Sequence, residues 1–280
     1  MIKDQIADQL VYSTVKIICH NITVESTGTG FFMLIDYPDG SNIQAIVTNK
    51  HVVKDYDYAE ITLAGMNNRG EPDDRNFVTI AIKNLQTKII SHPDENIDIC
   101  LLFVNDEINE SRLAGKPVYY RAIGREMLLR AIDHDSLTSI EDVIMIGYPN
   151  GIIDVYNNKP VVRKGITATN LKLDYNGKPD FMIDISCFYG SSGSPVFLRK
   201  EGLAKETHEN SVTIGLSPSY ALLGIIHSMS IATAKGEIIE KEIPTSNATF
   251  VETKLPLNLG FVTKASKILE IFDMIKTQKK

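Results

Sequence analysis

A serine between two glycines, an aspartate in an apolar run and a histidine after an apolar strand are the residues of this chain best suited to acyl-transfer chemistry. The serine is Ser192, in Gly190-Ser191-Ser192-Gly193-Ser194-Pro195. Glycines on both sides of the serine pair admit backbone conformations that a side chain forbids, so the turn can aim two N–H groups at one point beside the hydroxyl. In acyl transfer that point holds the tetrahedral oxyanion, and losing one donor there costs about 10²–10³ in rate. The same hexapeptide also reads as an ordinary Gly/Ser turn ahead of the strand Val196-Phe197-Leu198.

The aspartate is Asp98, in Ile97-Asp98-Ile99-Cys100-Leu101-Leu102-Phe103-Val104. A carboxylate in such a run must be met by a hydrogen-bonding partner, because desolvating it unpaired costs several kcal/mol. Local backbone N–H groups would serve as well as a histidine. The histidine is His51, in Thr48-Asn49-Lys50-His51-Val52-Val53, directly after the apolar Ala45-Ile46-Val47. A neutral imidazole accepts a hydroxyl proton near pH 7 and returns it to a leaving amine. Taken singly, His51 reads equally as structural, as do His20, His92, His134, His208 and His227. The three signals gain force together, because His, Asp, Ser is the chain order of one triad architecture and not of the others.

The elements that must position these residues are short. STVKIIC, GTGFFMLI, QAIVT, YAEITLA, FVTIAI, KII and DICLLFV precede residue 105, with turn sequences such as Tyr37-Pro38-Asp39-Gly40 and Asn67-Asn68-Arg69-Gly70 between them. Their length and β-branched content predict strands, and this half reads as a small antiparallel barrel. DVIMIGY, KPVVRKGITAT, FMIDIS, SPVFL, YALLGIIHSMS and NLGFVT form a second series, as expected of a barrel or sandwich. The organisation expected is a first β unit over 1–115 carrying His51 and Asp98, a polar connection over 116–140, and a second unit over 141–280 carrying Ser192. Only the ends read as helical. Near the C-terminus Ile268, Leu269, Phe272 and Ile275 share one face at helical spacing, which predicts a helix packed on the second barrel. Arg199 to Ser211 reads as an exposed loop.

With 280 residues, 43% of them hydrophobic, the chain can bury a substantial core. A net charge of −6 and a pI near 5.6 argue against a general phosphate-binding surface, so nucleic acid is not expected as a partner. No apolar run approaches the roughly 20 residues that cross a bilayer, and no membrane association is expected. The first 21 residues lack the pattern of a secretion signal, so a cytoplasmic location is expected. Cys19, Cys100 and Cys187 show no Cys-x-x-Cys spacing and read as reduced, buried thiols rather than disulfide or zinc ligands. Neither a metal nor an organic cofactor is expected.

Several segments together resemble the trypsin-like peptidases, especially bacterial members related to HtrA proteases and glutamyl endopeptidases. They are Gly28-Thr29-Gly30-Phe31-Phe32, Thr48 to Val53, Asp98 to Leu102, Gly147-Tyr148-Pro149, Gly190 to Phe197 and Leu223-Gly224-Ile225-Ile226. The resemblance implies an all-β fold of two packed antiparallel six-stranded barrels with the C-terminal helix appended. It implies a serine endopeptidase acting on protein or peptide substrates through an acyl-enzyme. In that scheme Ser192 is the nucleophile, His51 the general base and Asp98 its orienting carboxylate, with an oxyanion hole from the N–H groups of Gly190 and Ser192.

The chain also departs from the family pattern. Ser191 stands where animal trypsins carry the aspartate that pairs with a newly freed N-terminus, so that mode of activation is not expected. Ser194 replaces the second glycine of the commonest hexapeptide. His227 falls one residue later than the specificity histidine of glutamyl endopeptidases, so glutamate specificity is not carried onto it. The resemblance puts Ser186 at the base of the primary pocket, with Cys187, Phe188, Ile226 and His227 around it. Without a carboxylate at that base, uncharged residues are expected before the cut. No PDZ module of the HtrA kind follows the helix, and any regulatory partner protein is unknown. The alternatives are an esterase using the same three residues and a catalytically silent module of this fold that binds peptides or partner proteins.

Overall fold

The computed structural model of the chain describes residues 6–21, 25–37, 39–129, 137–208, 211–238 and 249–278. Helix α1 (Ile6–Ser13) leads into β1 (Thr14–His20), β2 (Glu25–Asp36), β3 (Asn42–Thr48), the single turn α2 (Lys50–Val53), β4 (Tyr58–Met66), β5 (Pro72–Lys83), β6 (Ile89–Ser91) and β7 (Cys100–Leu102). Helix α3 (Asn105–Leu113), β8 (Val118–Tyr119), β9 (Ile123–Gly124) and α4 (Arg125–Leu129) follow. These strands make one nine-stranded sheet along the path β5-β4-β1-β2-β3-β7-β6, with β8 paired to β4 and β9 to β2. The second unit is a closed six-stranded barrel of β10 (Asp142–Gly147), β11 (Val161–Thr167), β12 (Asp180–Asp184), β13 (Pro195–His208), β14 (Ser211–Ile238) and β15 (Thr249–Lys264). Helix α5 (Ser266–Gln278) ends the described chain.

The fold class is the expected one, mostly β with a closed six-stranded barrel and a C-terminal helix, but the first sheet is not the expected six-stranded antiparallel barrel: it has nine strands, and β2 pairs β9 in parallel. Each apolar run read from the sequence falls on a strand because alternate side chains meet a core. In β1, for example, Val15, Ile17 and Cys19 are buried, and β4 matches them with Ala59, Ile61 and Leu63. All three cysteines are buried and unpaired, and burial pushes the Cys19 thiol up to about 12 and that of Cys187 up to about 11.

Four further expectations need correction or refinement. The segment from Arg199 to Ser211 is not a loop, because β13 runs to His208 and pairs with β14 from Arg199↔Tyr220 to His208↔Ser211. Its polar sequence concealed the strand, since main-chain pairing to a neighbour makes strand without apolar alternation. The helices are not confined to the ends: α3 lies inside the chain and buries none of its residues, so it carries no apolar stripe to read. The stretch 116–140 is more than a connection, as β8 and β9 both hydrogen-bond into the first sheet; residues 130–136 lie outside the described ones.

The last refinement concerns α5. Ile268, Ile271, Phe272 and Ile275 are buried, but in a core shared by both units rather than against the barrel alone. That core joins Phe31, Met33 and Val47 of the first sheet to Phe197, Leu222 and Ile225 of the barrel. The Tyr37 hydroxyl, just beyond β2, donates to the carbonyl of Phe272 at 2.7 Å. The helix therefore closes the joint between the units. Phe272→Ala is expected to lower unfolding stability by about 3–5 kcal/mol through the cavity it opens, as read from the shift in urea midpoint.

Candidate active site

His51 is placed by the end of β3. The strand stops at Thr48, Asn49 takes an extended conformation (φ −83°, ψ 147°), and α2 begins. The Asn49 side chain does not cap that turn; its Nδ2 donates instead to the carbonyl of Asp98 at 2.7 Å. The Asp98 carboxylate turns back to meet His51, accepting from the backbone N–H at 3.1 Å on Oδ1 and contacting ring Nδ1 at 2.5 Å on Oδ2. A carboxylate oxygen accepts, so in this contact the ring donates from Nδ1 to Oδ2. The partner that Asp98 needed is thus His51, reached from a position two residues before β7. The side chains are 48% and 29% exposed, so the ring can be reached from solvent while the carboxylate is largely covered.

The loop that carries Ser192 is held against the first sheet. Gly190 and Gly193 have φ of +79° and +87°, in the region that favours glycine. A Cβ on Gly193 would also collide with the carbonyl of Thr29. Thr29 in β2 is the contact point: its N–H donates to the Ser192 carbonyl at 2.8 Å and its Oγ1 donates to the Gly190 carbonyl at 2.9 Å. Thr48 Oγ1 donates to the Thr29 carbonyl at 2.7 Å, tying this strand to the one that delivers His51. On the barrel side the Gly193 N–H donates to Ile226 and the Ile226 N–H to Ser194, at 3.0 and 3.1 Å. Among the described residues the N–H groups of Gly190 and Ser192 meet no protein acceptor.

His51 and Ser192 line one cleft of about 330 Å³ between the units, with Glu25, Ser26, Thr27 and Val52 on one wall and Asn150, Gly151, Tyr189 and Gly190 on the other. The other two serines of the hexapeptide are turned away. Ser191 is buried, its Oγ accepting from Arg163 at 3.0 Å and from the Phe188 N–H at 3.3 Å, and Ser194 is buried with its hydroxyl unpaired. Of the remaining histidines, His20 and His92 lie beside Glu25 and Glu270 and line no part of the cleft, while His134 is outside the described residues.

The residues expected around the primary pocket divide. Cys187 and Ile226 pack together over Gly260, where a Cβ would lie 2.7 Å from each. Phe188 is on the surface beside them in sequence, and the Ser186 carbonyl accepts from the Arg163 guanidinium. His227 sits at a bulge, where the β14–β15 register slips between Ile226 and Ser228, and its Nε2 lies 3.3 Å from Asp180 Oδ2 without the alignment of a hydrogen bond. Asp180 also accepts from Thr263 at 2.8 Å. His227 therefore faces Asp180 of β12.

Sequence reasoning missed Thr29, Thr48, Asn49 and Arg163. The first three lie inside segments that were singled out, but nothing in residue type marks a threonine hydroxyl as a tie between sheets. Arg163 was hidden by an inverted pattern: β11 exposes Val162 and Ile166 and turns Arg163 inward.

A family model described as Trypsin-like peptidase domain matches residues 28–203. Curated protein sequences yield no match. Among solved structures the chain is similar to a serine endoprotease from Yersinia pestis, at 16% identity and a TM-score of 0.46, over 95% of this chain and 63% of that one. It thus spans less than two thirds of that protein. It is also similar to the thermostable serine protease AL20 from an extremophilic microorganism, at 13% identity and a TM-score of 0.47, over 95% and 98% of the two chains. A third similar structure is an inactivated protease paralogue of the scabies mite, at 13% identity and a TM-score of 0.43, over 95% of each.

Thr29→Val keeps the shape of residue 29 and removes its hydroxyl, leaving the Gly190 carbonyl and the Tyr148 N–H unpaired. A loss of about 1–3 kcal/mol is expected, measured by thermal unfolding beside the parent chain.

Proposed function

The chain belongs to the family of trypsin-like peptidase domains, and from that membership we propose that it is a serine endopeptidase whose triad is His51, Asp98 and Ser192. The observation that carries this reading is the bonded His51–Asp98 pair facing the same cleft as Ser192. Ser192 Oγ attacks the carbonyl carbon of the scissile bond while His51 Nε2 takes its proton. The oxyanion formed is received by the N–H groups of Gly190 and Ser192. Collapse of the tetrahedral intermediate breaks the C–N bond, and the leaving amine takes the proton from His51. Water then repeats the sequence on the acyl-enzyme and frees Ser192. Asp98 holds the imidazole in the Nδ1–H tautomer and stabilises the imidazolium that forms. The described residues contain no His/Cys/Asp/Glu group able to hold a metal ion, and no step of this mechanism calls for one.

The experiment that tests the proposal is reaction with a fluorophosphonate probe followed by mass spectrometry of the labelled peptide. A single adduct on Ser192 is expected, absent in Ser192→Ala. Labelling on Ser191 or Ser194, or none, would overturn the assignment. Asp98→Asn is expected to lower kcat about 10⁴-fold by spoiling the tautomer, with the fold kept. Hydrolysis of small esters with no cleavage of peptides would favour the esterase reading.

Substrate selection is proposed to rest on Ser186, Cys187, Phe188 and Ile226. Ser186 has no carboxylate to offer, and the guanidinium of Arg163 stands directly behind its carbonyl. Lys or Arg before the cut would meet that cation with no counter-charge. Peptides with a basic residue there should be cleaved at least about tenfold more slowly than those with Leu or Phe, a difference of ~1.4 kcal/mol in the barrier. A peptide-library profile dominated by Lys or Arg would contradict this.

A further inference from the structure

Arg163 is a half-buried cation with an unusual set of partners. It lies on β11 opposite Met145 of β10, and its side chain points inward while the neighbouring Val162 and Lys164 are exposed. One terminal nitrogen of the guanidinium donates to the Ser186 carbonyl and the other to Ser191 Oγ at 3.0 Å. Its Cζ lies 5.9 Å from the centre of the Phe188 ring. Its Nε is buried and unpaired. Burial pulls the guanidinium below its ordinary range, and the neighbouring Cys187 opposes that shift; no carboxylate takes part. A partly desolvated cation held, among the described residues, by a carbonyl, a hydroxyl and a ring face is costly beside an apolar residue of the same volume. Stability of the barrel does not account for it.

The hydrogen bonds and ring contact of its guanidinium fall on one short segment, residues 186–191, and that segment runs into the N–H groups of Gly190 and Ser192. Ser191 lies between Gly190 and Ser192. It is further bound into a tight turn, its N–H donating to the Phe188 carbonyl at 3.0 Å while its Oγ accepts from the Phe188 N–H at 3.3 Å. With Ser186 and Ser191 both tied to one planar, five-donor group, the segment between them is held at both ends by charge-assisted bonds. Released from it, the peptide plane that carries the Gly190 N–H would keep one tie, the bond that its Tyr189 carbonyl accepts from the Asn150 N–H at 2.5 Å, on a glycine whose backbone turns easily.

We propose that Arg163 is a positioning residue for the nucleophile loop, clamping residues 186–191 from inside the barrel so that the Gly190 and Ser192 N–H groups point into the cleft. It touches no reacting atom. The cation is supplied by the interior of the folded chain, so the loop is shaped without any cleavage that frees an N-terminus. The catalytic consequence rests on the reading of Ser192 as nucleophile; the clamp itself rests on the hydrogen bonds alone.

The test compares the parent chain with Arg163→Met, Arg163→Lys and Ser191→Ala by amide hydrogen exchange and by kcat and KM. The reporting amides are Ser191, Gly193 and Ser194, each bonded in the clamped loop. In Arg163→Met their exchange is expected to rise at least about tenfold while the rest of the barrel is unchanged, an opening of ~1.4 kcal/mol. kcat should fall about 10²–10³-fold with KM little moved, and Arg163→Lys should recover part of the loss. Unchanged exchange in the loop overturns the proposal, and so does a loosened loop with undiminished kcat. If Arg163→Met loosens the whole barrel, Arg163→Lys and Ser191→Ala decide together, since the lysine gives up the paired bonds while leaving Ser191 Oγ on the Phe188 N–H and Ser191→Ala removes both bonds of that hydroxyl: a local rise in both supports the clamp, and its absence in Arg163→Lys refutes it. A loop that loosens as expected in a chain whose parent never reacts with fluorophosphonate supports the clamp while refuting the peptidase reading.

Discussion

The hydrogen bond from the Thr29 N–H to the Ser192 carbonyl fixes the two halves of the site in one frame. His51 and Asp98 are delivered by the first sheet and Ser192 by the barrel, so no single element sets their separation. Proton transfer and attack tolerate little error, and a displacement of about 1 Å costs on the order of 10²-fold in rate. The frame is stiff because the same threonine is bound on every side: its hydroxyl by Gly190 and Tyr148, its carbonyl by Thr48. Thr48 is the last residue of β3, and the chain passes from it through Asn49 into the turn that carries His51. The ties on the strand that leads to His51 and on the loop of Ser192 therefore run through a single residue.

Such closeness sets the composition of the loop. The carbonyl of Thr29 occupies the space where a Cβ on residue 193 would lie, so only glycine permits the strand and the loop to meet. The shared core around α5 acts on the same frame from farther out. Phe31 of β2 lies two residues from Thr29, and it packs in one cluster with Phe197 and Ile225 of the barrel and with the buried face of α5. Apolar burial there resists any shear of one unit past the other, since close-packed interiors deform little. Short hydrogen bonds set the local geometry and the joint core keeps it from sliding.

How much of this was legible in the chain divides along physical lines. Strands announced themselves wherever one face met a core, because alternation is a direct imprint of burial, as in Val15, Ile17 and Cys19. The site residues were legible because their chemistry is improbable elsewhere: an aspartate in an apolar run requires a partner, and His51 proved to be that partner. Partners of an element were not legible. Helical spacing at Ile268, Phe272 and Ile275 fixes a buried face and is silent on what covers it, which is why α5 was expected on one unit and lies in the core of both. The hairpin continuing β13 to His208 was hidden for a related reason, as its order comes from backbone pairing to β14. Arg163 escaped notice because alternation in β11 is inverted, with charge inside and Val162 and Ile166 outside.

That inversion separates two demands usually met by the same residues. A barrel built for stability alone would place an apolar side chain at position 163 and leave the carbonyl of Ser186 and the hydroxyl of Ser191 to water or to each other. Here the interior of the second unit gives up apolar burial at one strand position and gains a fixed donor pair under the loop. The cation also gives that end of the barrel a positive potential, which opposes a basic side chain approaching Ser186 and favours negative charge beside Gly190. In the proposed mechanism the negative charge that develops there is the oxyanion, so one residue both shapes the loop and biases the field in which the loop would act. The joint at Thr29 holds that loop from the first unit and Arg163 holds it from the second. Between the two grips the only backbone donors left without a protein acceptor at Gly190 to Ser192 are the pair that the chemistry requires.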